Sequence, residues 1–137
     1  MYHVRLTTAL LADAASQCDG KLNVLGGGWD IIYAPGFPVA YPSLAVVVVI
    51  EGEPTELDGS TFKIRMVDEG GDPVGVSAEG RHSIGDPSMR TPGLPTSASV
   101  ALTFPGVTFT QPGRYRFMVS VNDSELGSIG FTVRAQP

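Results

Sequence analysis

Apolar residues recur at every second position in several short stretches of this chain. Phe62, Ile64 and Met66 alternate with Lys63 and Arg65. Tyr115, Phe117, Val119 and Val121 alternate with Arg114, Arg116, Met118 and Ser120, and Ile129, Phe131 and Val133 repeat the pattern near the end. A period of two is the signature of a strand with one buried and one solvated face. Turn formers bound these stretches: Asp19-Gly20, Glu53 to Gly59, Asp68 to Pro73, Gln111 to Gly113 and Asn122 to Ser124. No stretch combines helical periodicity with caps. The pattern predicts about eight strands. The first three span Tyr2–Ala12, Lys21–Tyr33 and Leu44–Glu51, and the others centre on Ile64, Val76, Leu102, Phe117 and Phe131. Leu10 to Ala14 also reads as a short helical turn.

Three segments depart from plain alternation. Gly26-Gly27-Gly28 interrupts the second strand, which predicts a bulge, a bend or a close backbone approach. Ala34 to Pro42 holds three prolines and is read as a crossover loop; Ser83 to Pro95 is read as a long loop. Leu44 to Ile50 is apolar on both faces, so both faces are expected to be covered. One account roofs the outer face with the proline-rich loop or the Ser83–Pro95 loop. The other seats it against a second subunit, with Val46, Val47, Val48 and Val49 as interface candidates.

The length of 137 residues suits one domain spanning 1–137. The net charge of −5 opposes the phosphate backbone of nucleic acids and, by the same argument, anionic membranes. The longest apolar run, seven residues, is far short of a bilayer span. A lone cysteine, Cys18, forms no internal disulfide and points to a reducing compartment. No leader pattern is seen at Met1. These features lead us to expect a cytoplasmic location, or a virion if the gene is phage-borne.

Candidate chemistry is sparse. A nucleophile needs a base and an orienting group, and the only histidines, His3 and His82, lie in no recognisable motif. Cys18 stands beside Asp19, whose negative charge disfavours a thiolate. One cysteine and two distant histidines make no zinc cluster. Calcium is the stronger inorganic candidate: Asp68, Glu69 and Asp72 share a loop, and Asp13, Asp30 or Asp123 are further candidate ligands if the fold brings them to it. The same loop also reads as an ordinary solvated hairpin turn. The triple glycine lacks the following helix that a phosphate loop requires, and Trp29 reads as a core anchor. Lys63, Arg65, Arg114, Arg116 and Arg134 fall on outward strand positions. They form a basic stripe if their strands are neighbours, with Arg114 and Arg116 as interface candidates.

Several motifs resemble a family of short bacterial proteins of unknown function. They are Leu11-Ala-Asp-Ala-Ala15, Gly20-Lys-Leu-Asn-x-Leu-Gly26 with Trp29-Asp30, Phe37-Pro, and Pro42-x-Leu44. The closing Phe109-x-x-Pro-Gly-x-Tyr-x-Phe-x-Val-x-Val121 and Gly130-Phe-x-Val133 fit it too. The resemblance implies one compact β-sandwich and carries no activity or functional residues. The triple glycine departs from the pattern. The combined reading is an all-β, antiparallel immunoglobulin-like or C2-like sandwich of about eight strands. The expected role is non-catalytic, without a cofactor: a protein-interaction or assembly module of a cellular accessory protein or a phage or virion component. The alternative is a small-ligand or calcium-binding sandwich with the Asp68–Asp72 loop at its mouth.

Overall fold

The computed structural model describes residues 4–85, 89, 91 and 93–137. His3 and the start of the predicted first strand lie outside the described residues. Among the described residues, nine strands form two stacked sheets. They are β1 (Arg5–Cys18), β2 (Lys21–Gly27), β3 (Ile31–Ala34), β4 (Val39–Gly52), β5 (Thr61–Asp68), β6 (Pro73–Arg81), β7 (Thr96–Phe109), β8 (Gly113–Val121) and β9 (Ser124–Ala135), with a single helical turn, α1 (Pro54–Leu57), after β4. One sheet has the order β2-β1-β4-β7, and the other β3-β9-β8-β5-β6. The chain is an immunoglobulin-like β-sandwich.

Alternation places the core where the sequence pattern predicts. Phe62, Ile64 and Met66 of β5, Phe117 and Val119 of β8, and Phe131 and Val133 of β9 are buried between the sheets. Phe131 is the hub of the aromatic core: it stacks on Tyr115 and Phe117 and meets Phe109 edge-on, with ring centroids 5.7–5.9 Å apart. At the β7–β8 corner the Tyr115 hydroxyl donates to the Gln111 carbonyl (2.8 Å). This local tie resembles the tyrosine corner of immunoglobulin domains. Burial, together with the nearby Asp68 and Glu69 carboxylates, pushes the Tyr115 hydroxyl pKa up.

Several local expectations are corrected. The predicted second strand is two strands in different sheets. Gly26 (φ +62°) and Gly28 (φ +90°) take backbone shapes that other residues resist, and the chain crosses there from β2 in one sheet to β3 in the other. The count is therefore nine rather than eight. β3 runs parallel to β9, so that sheet is mixed rather than purely antiparallel. The proline-rich loop is shorter than expected, because β4 begins at Val39 and carries Pro42, which has no ladder partner between Tyr41 and Ser43. The Glu53–Gly59 turn contains α1, with Pro54 in its first turn. Leu10 to Ala14 is strand, inside β1.

The two hairpin turns match the signals read for them. Asp19 (φ +52°) and Gly20 (φ +72°) join β1 to β2, and Asn122 (φ +48°) and Asp123 (φ +66°) join β8 to β9. Two successive left-handed residues match the right-handed twist of the flanking strands.

The apolar β4 strand is covered on both faces by this chain itself. Leu44, Val46, Val48 and Ile50 enter the core between the sheets. On the opposite face Ala45 and Val47 are 0% and 1% exposed, and Val49 is half-buried. β1 pairs with β4 as far as Ala12 and thereafter with β2 alone. The far half of this hairpin reaches past β4 to β7, where the Gln17 amide donates to Ser99 Oγ (2.8 Å), and Ser99 is the ladder partner of Val49. The roof over the valines is therefore the β1–β2 hairpin, not either of the loops expected. Val46, Val47 and Val48 present no surface to a partner.

Candidate functional site

In the Asp68–Asp72 loop, Asp68 and Glu69 turn carboxylate oxygens to backbone N–H groups. Asp68 Oδ1 accepts the backbone N–H groups of Gly70 (2.9 Å) and Asp72 (3.0 Å), and Glu69 Oε1 accepts that of Arg114 (3.0 Å). This is a side-chain-closed turn that also ties β5–β6 to β8. Asp123 follows Val121, which pairs with Phe62 at the far end of β5 from Asp68. Phe62 and Asp68 are six strand steps apart, about 20 Å. Among the described residues no group of three or more His, Cys, Asp and Glu side chains is placed to hold a metal ion. Asp13, Asp30 and Asp123 thus do not join Asp68, Glu69 and Asp72 in a cation site.

The basic residues do come together. β5, β8 and β9 are neighbours, so their outward positions share one face. Arg65 is opposite Met118 and Val67 opposite Arg116, which sets Arg65 and Arg116 diagonally, roughly 7–8 Å apart by strand geometry. Arg114 is opposite Thr132, which sets it diagonal to Arg134. Lys63 and Arg65 continue the band along β5, and Arg81 stands at the β6 corner opposite Thr61. Six of the chain's nine lysines and arginines therefore occupy one sheet face, with only Glu79 and Glu125 of its fourteen acids. All six are exposed. The one ion pair among the described residues, Arg5–Glu51 at 2.7 Å, lies elsewhere. Each neighbouring pair of these cations repels by about 0.6 kcal/mol in bulk water before salt screening.

A cleft of about 1030 Å³ runs beside the outer edge of β7, opposite its β4 side. Ala98, Val100, Leu102, Phe62 and Ile84 line its inner wall, and Gln17, Asp19 and Lys21 at the hairpin tip line its outer one. His82 closes it, 7% exposed, with its ring 5.0 Å from that of Phe62. Its Nε2 is buried and has no hydrogen-bond partner. Burial lowers its pKa below the ordinary value, so the imidazole is neutral at pH 7. The sequence reading missed this site. A signal was present: no charged residue occurs from Thr91 to Gly113, an unusual interval for a chain segment that includes a sheet edge. Cys18 is exposed and free at the end of β1. Trp29 is a partial core anchor, packed on Tyr41 and Phe131 with ring centroids 6.1 and 6.5 Å away. No helix of the described residues is long and apolar enough to cross a membrane.

The two sheets and their open edges define a β-sandwich of the immunoglobulin-like class. Residues 7–134 match the model of DUF6941, a family of unknown function, and the chain belongs to that family. No curated protein matches it. Among solved structures it is similar to an immunoglobulin-like protein from Pseudomonas aeruginosa (15% identity, TM-score 0.42, covering 96% of this chain and 97% of that one). It is also similar to part of a Pseudomonas fluorescens alkylpurine DNA glycosylase bound to DNA containing an abasic site analogue (14% identity, TM-score 0.47). That match covers 96% of this chain and 30% of the glycosylase chain.

Proposed function

We propose that this protein is a non-catalytic interaction module whose docking surface is the cationic outer face of the five-stranded sheet and whose partner is an acidic protein surface. The observation that carries this reading is the segregation of charge: six of nine basic residues stand on one face of a chain with net charge −5, with no ion pair to any of them among the described residues. Unneutralised cations held side by side raise the energy of the free protein, and an anionic partner relieves that repulsion. Five of the six are arginines, whose planar fork binds carboxylates two-point. Tyr33 is the one exposed large aromatic among the described residues, at the β3 edge, so the face offers little platform for stacking unpaired bases. Twelve acids elsewhere on the chain oppose a long polyanion such as duplex DNA.

Poly-glutamate titration at low salt, with a 20-base-pair DNA duplex in parallel, tests the reading. Saturable poly-glutamate binding that weakens with salt, and drops at least tenfold in Arg114→Glu/Arg116→Glu, supports it. Equal binding by that variant, no binding, or tighter binding of DNA overturns it.

A further inference from the structure

We propose that the free edge of β7 from Thr96 to Leu102, with the cleft beside it, is a strand-addition site for an extended segment of a partner protein. The segment would enter as a fifth strand of the β2-β1-β4-β7 sheet. This site shares only Arg81 with the cationic face, at the β6 corner, and does not rest on the proposed function.

The backbone makes the first case. β7 pairs with β4 along its length and with nothing on its other side among the described residues. A row of unpaired N–H and C=O groups is a template for another chain, and natural edges are blunted by charge, proline, bulges or shortness. The other three edges carry such devices. β3 is four residues long, β6 holds Pro73, Gly75 and Arg81, and β2 starts at Lys21 and ends in glycines. β7 has neither charge nor proline from Thr96 to Phe104.

The cleft makes the second case and specifies the occupant. A strand laid on this edge sends alternate side chains to opposite sides. One row enters the gap between the sheets, against Val100, Leu102 and Phe62. The other lies by the hairpin tip, against Gln17 and Ser99. The segment is therefore alternately apolar and polar. Its charge follows from the lips of the cleft, where Lys21 and Arg81 outnumber Asp19, so it is neutral or acidic. The same cations disfavour a second copy, since two-fold pairing of β7 with β7 would face like charges across the axis. His82 adds an independent sign of a missing partner. Its buried Nε2, which lacks any hydrogen bond in the free protein, lies in the wall of the cleft.

The test uses the full chain and a phage-displayed library of linear nine-residue peptides. Selection is expected to enrich alternating, neutral or acidic sequences. A synthetic copy of the leading peptide should slow amide hydrogen exchange at alternate residues of Thr96–Leu102. N-methylation of its alternate backbone nitrogens on the pairing edge should weaken binding at least tenfold. Lys21→Glu/Arg81→Glu should weaken an acidic peptide at least fivefold, while Arg114→Glu/Arg116→Glu should leave it within twofold. The proposal is overturned if no peptide is enriched, or if β7 exchange is unchanged at saturation. It is also overturned if both N-methylated registers bind as well as the parent, or if β7 is already protected by concentration-dependent self-association.

Discussion

The most discriminating perturbation is Val47→Ala. Val47 lies on the outer face of β4, 1% exposed, beneath the β1–β2 hairpin. Its neighbour Val48 points the other way, into the core between the sheets, and is 0% exposed. Truncation of either valine removes two carbons from an apolar environment, about 0.8 kcal/mol each, and leaves a small cavity. The expected loss is roughly 2 kcal/mol for both variants. In a chain of this size that lowers Tm by about 7 °C. Val24, 41% exposed on β2, serves as the surface control, with Val24→Ala expected to change stability by less than about 0.5 kcal/mol. Urea unfolding followed by tryptophan fluorescence measures all three, with equal m-values required for comparison. Val47→Lys should destabilise by more than Val47→Ala, because the hairpin would have to lift to let the ammonium reach water. If Val47→Ala matches the wild type within about 0.5 kcal/mol while Val48→Ala does not, the hairpin does not roof β4.

Two further predictions concern the cleft and its surroundings. His82 has a folded-state pKa below its unfolded value of about 6.5, so the unfolded chain binds the extra proton. Its contribution is therefore intact above pH 6.5 and is lost as pH falls through that value. Wild-type urea midpoints at pH 7.5 and 5.5 should differ by more than those of His82→Gln, and equal differences would refute the assignment. Gly80 has a Cβ position 2.8 Å from Phe62 Cζ, across from it on the inner face of β6. Gly80→Ala should cost about 1–2 kcal/mol by overpacking, and a stabilised variant in thermal melts would show that the Phe62 ring moves freely.

Much of the fold is legible in the order of residues because strands report themselves locally. Alternation at Phe62–Met66, Tyr115–Val121 and Ile129–Val133 assigns both the element type and the buried face. Asp19-Gly20 identifies a hairpin because its two residues tolerate the left-handed backbone that the turn needs. The triple glycine marks a break in the alternation, but nothing local distinguishes a bulge within one sheet from a crossing between two. The parallel pairing of β3 with β9 was likewise hidden, since it joins residues about a hundred positions apart.

The candidate sites divide along the same line. Alternation alone put Lys63, Arg65, Arg114, Arg116 and Arg134 on outward positions, but a band forms only because β5, β8 and β9 are neighbours. The acids around Asp68 look like ligands by composition, yet Asp68 Oδ1 and Glu69 Oε1 turn to backbone N–H groups of the same loop and of β8. The valines of β4 announced two covered faces through their composition, while the identity of the cover is decided by a hairpin that folds back over the sheet.

By itself, then, the sequence determined an all-β chain with these core residues, these turns and an acidic balance, because hydrophobic period and turn chemistry act over a few residues. Strand order, the shared face of the cations, the roof over Val47 and the open edge of β7 were decided only by tertiary structure. Each depends on which distant segments lie side by side, and that follows from how the two sheets bury their apolar faces together.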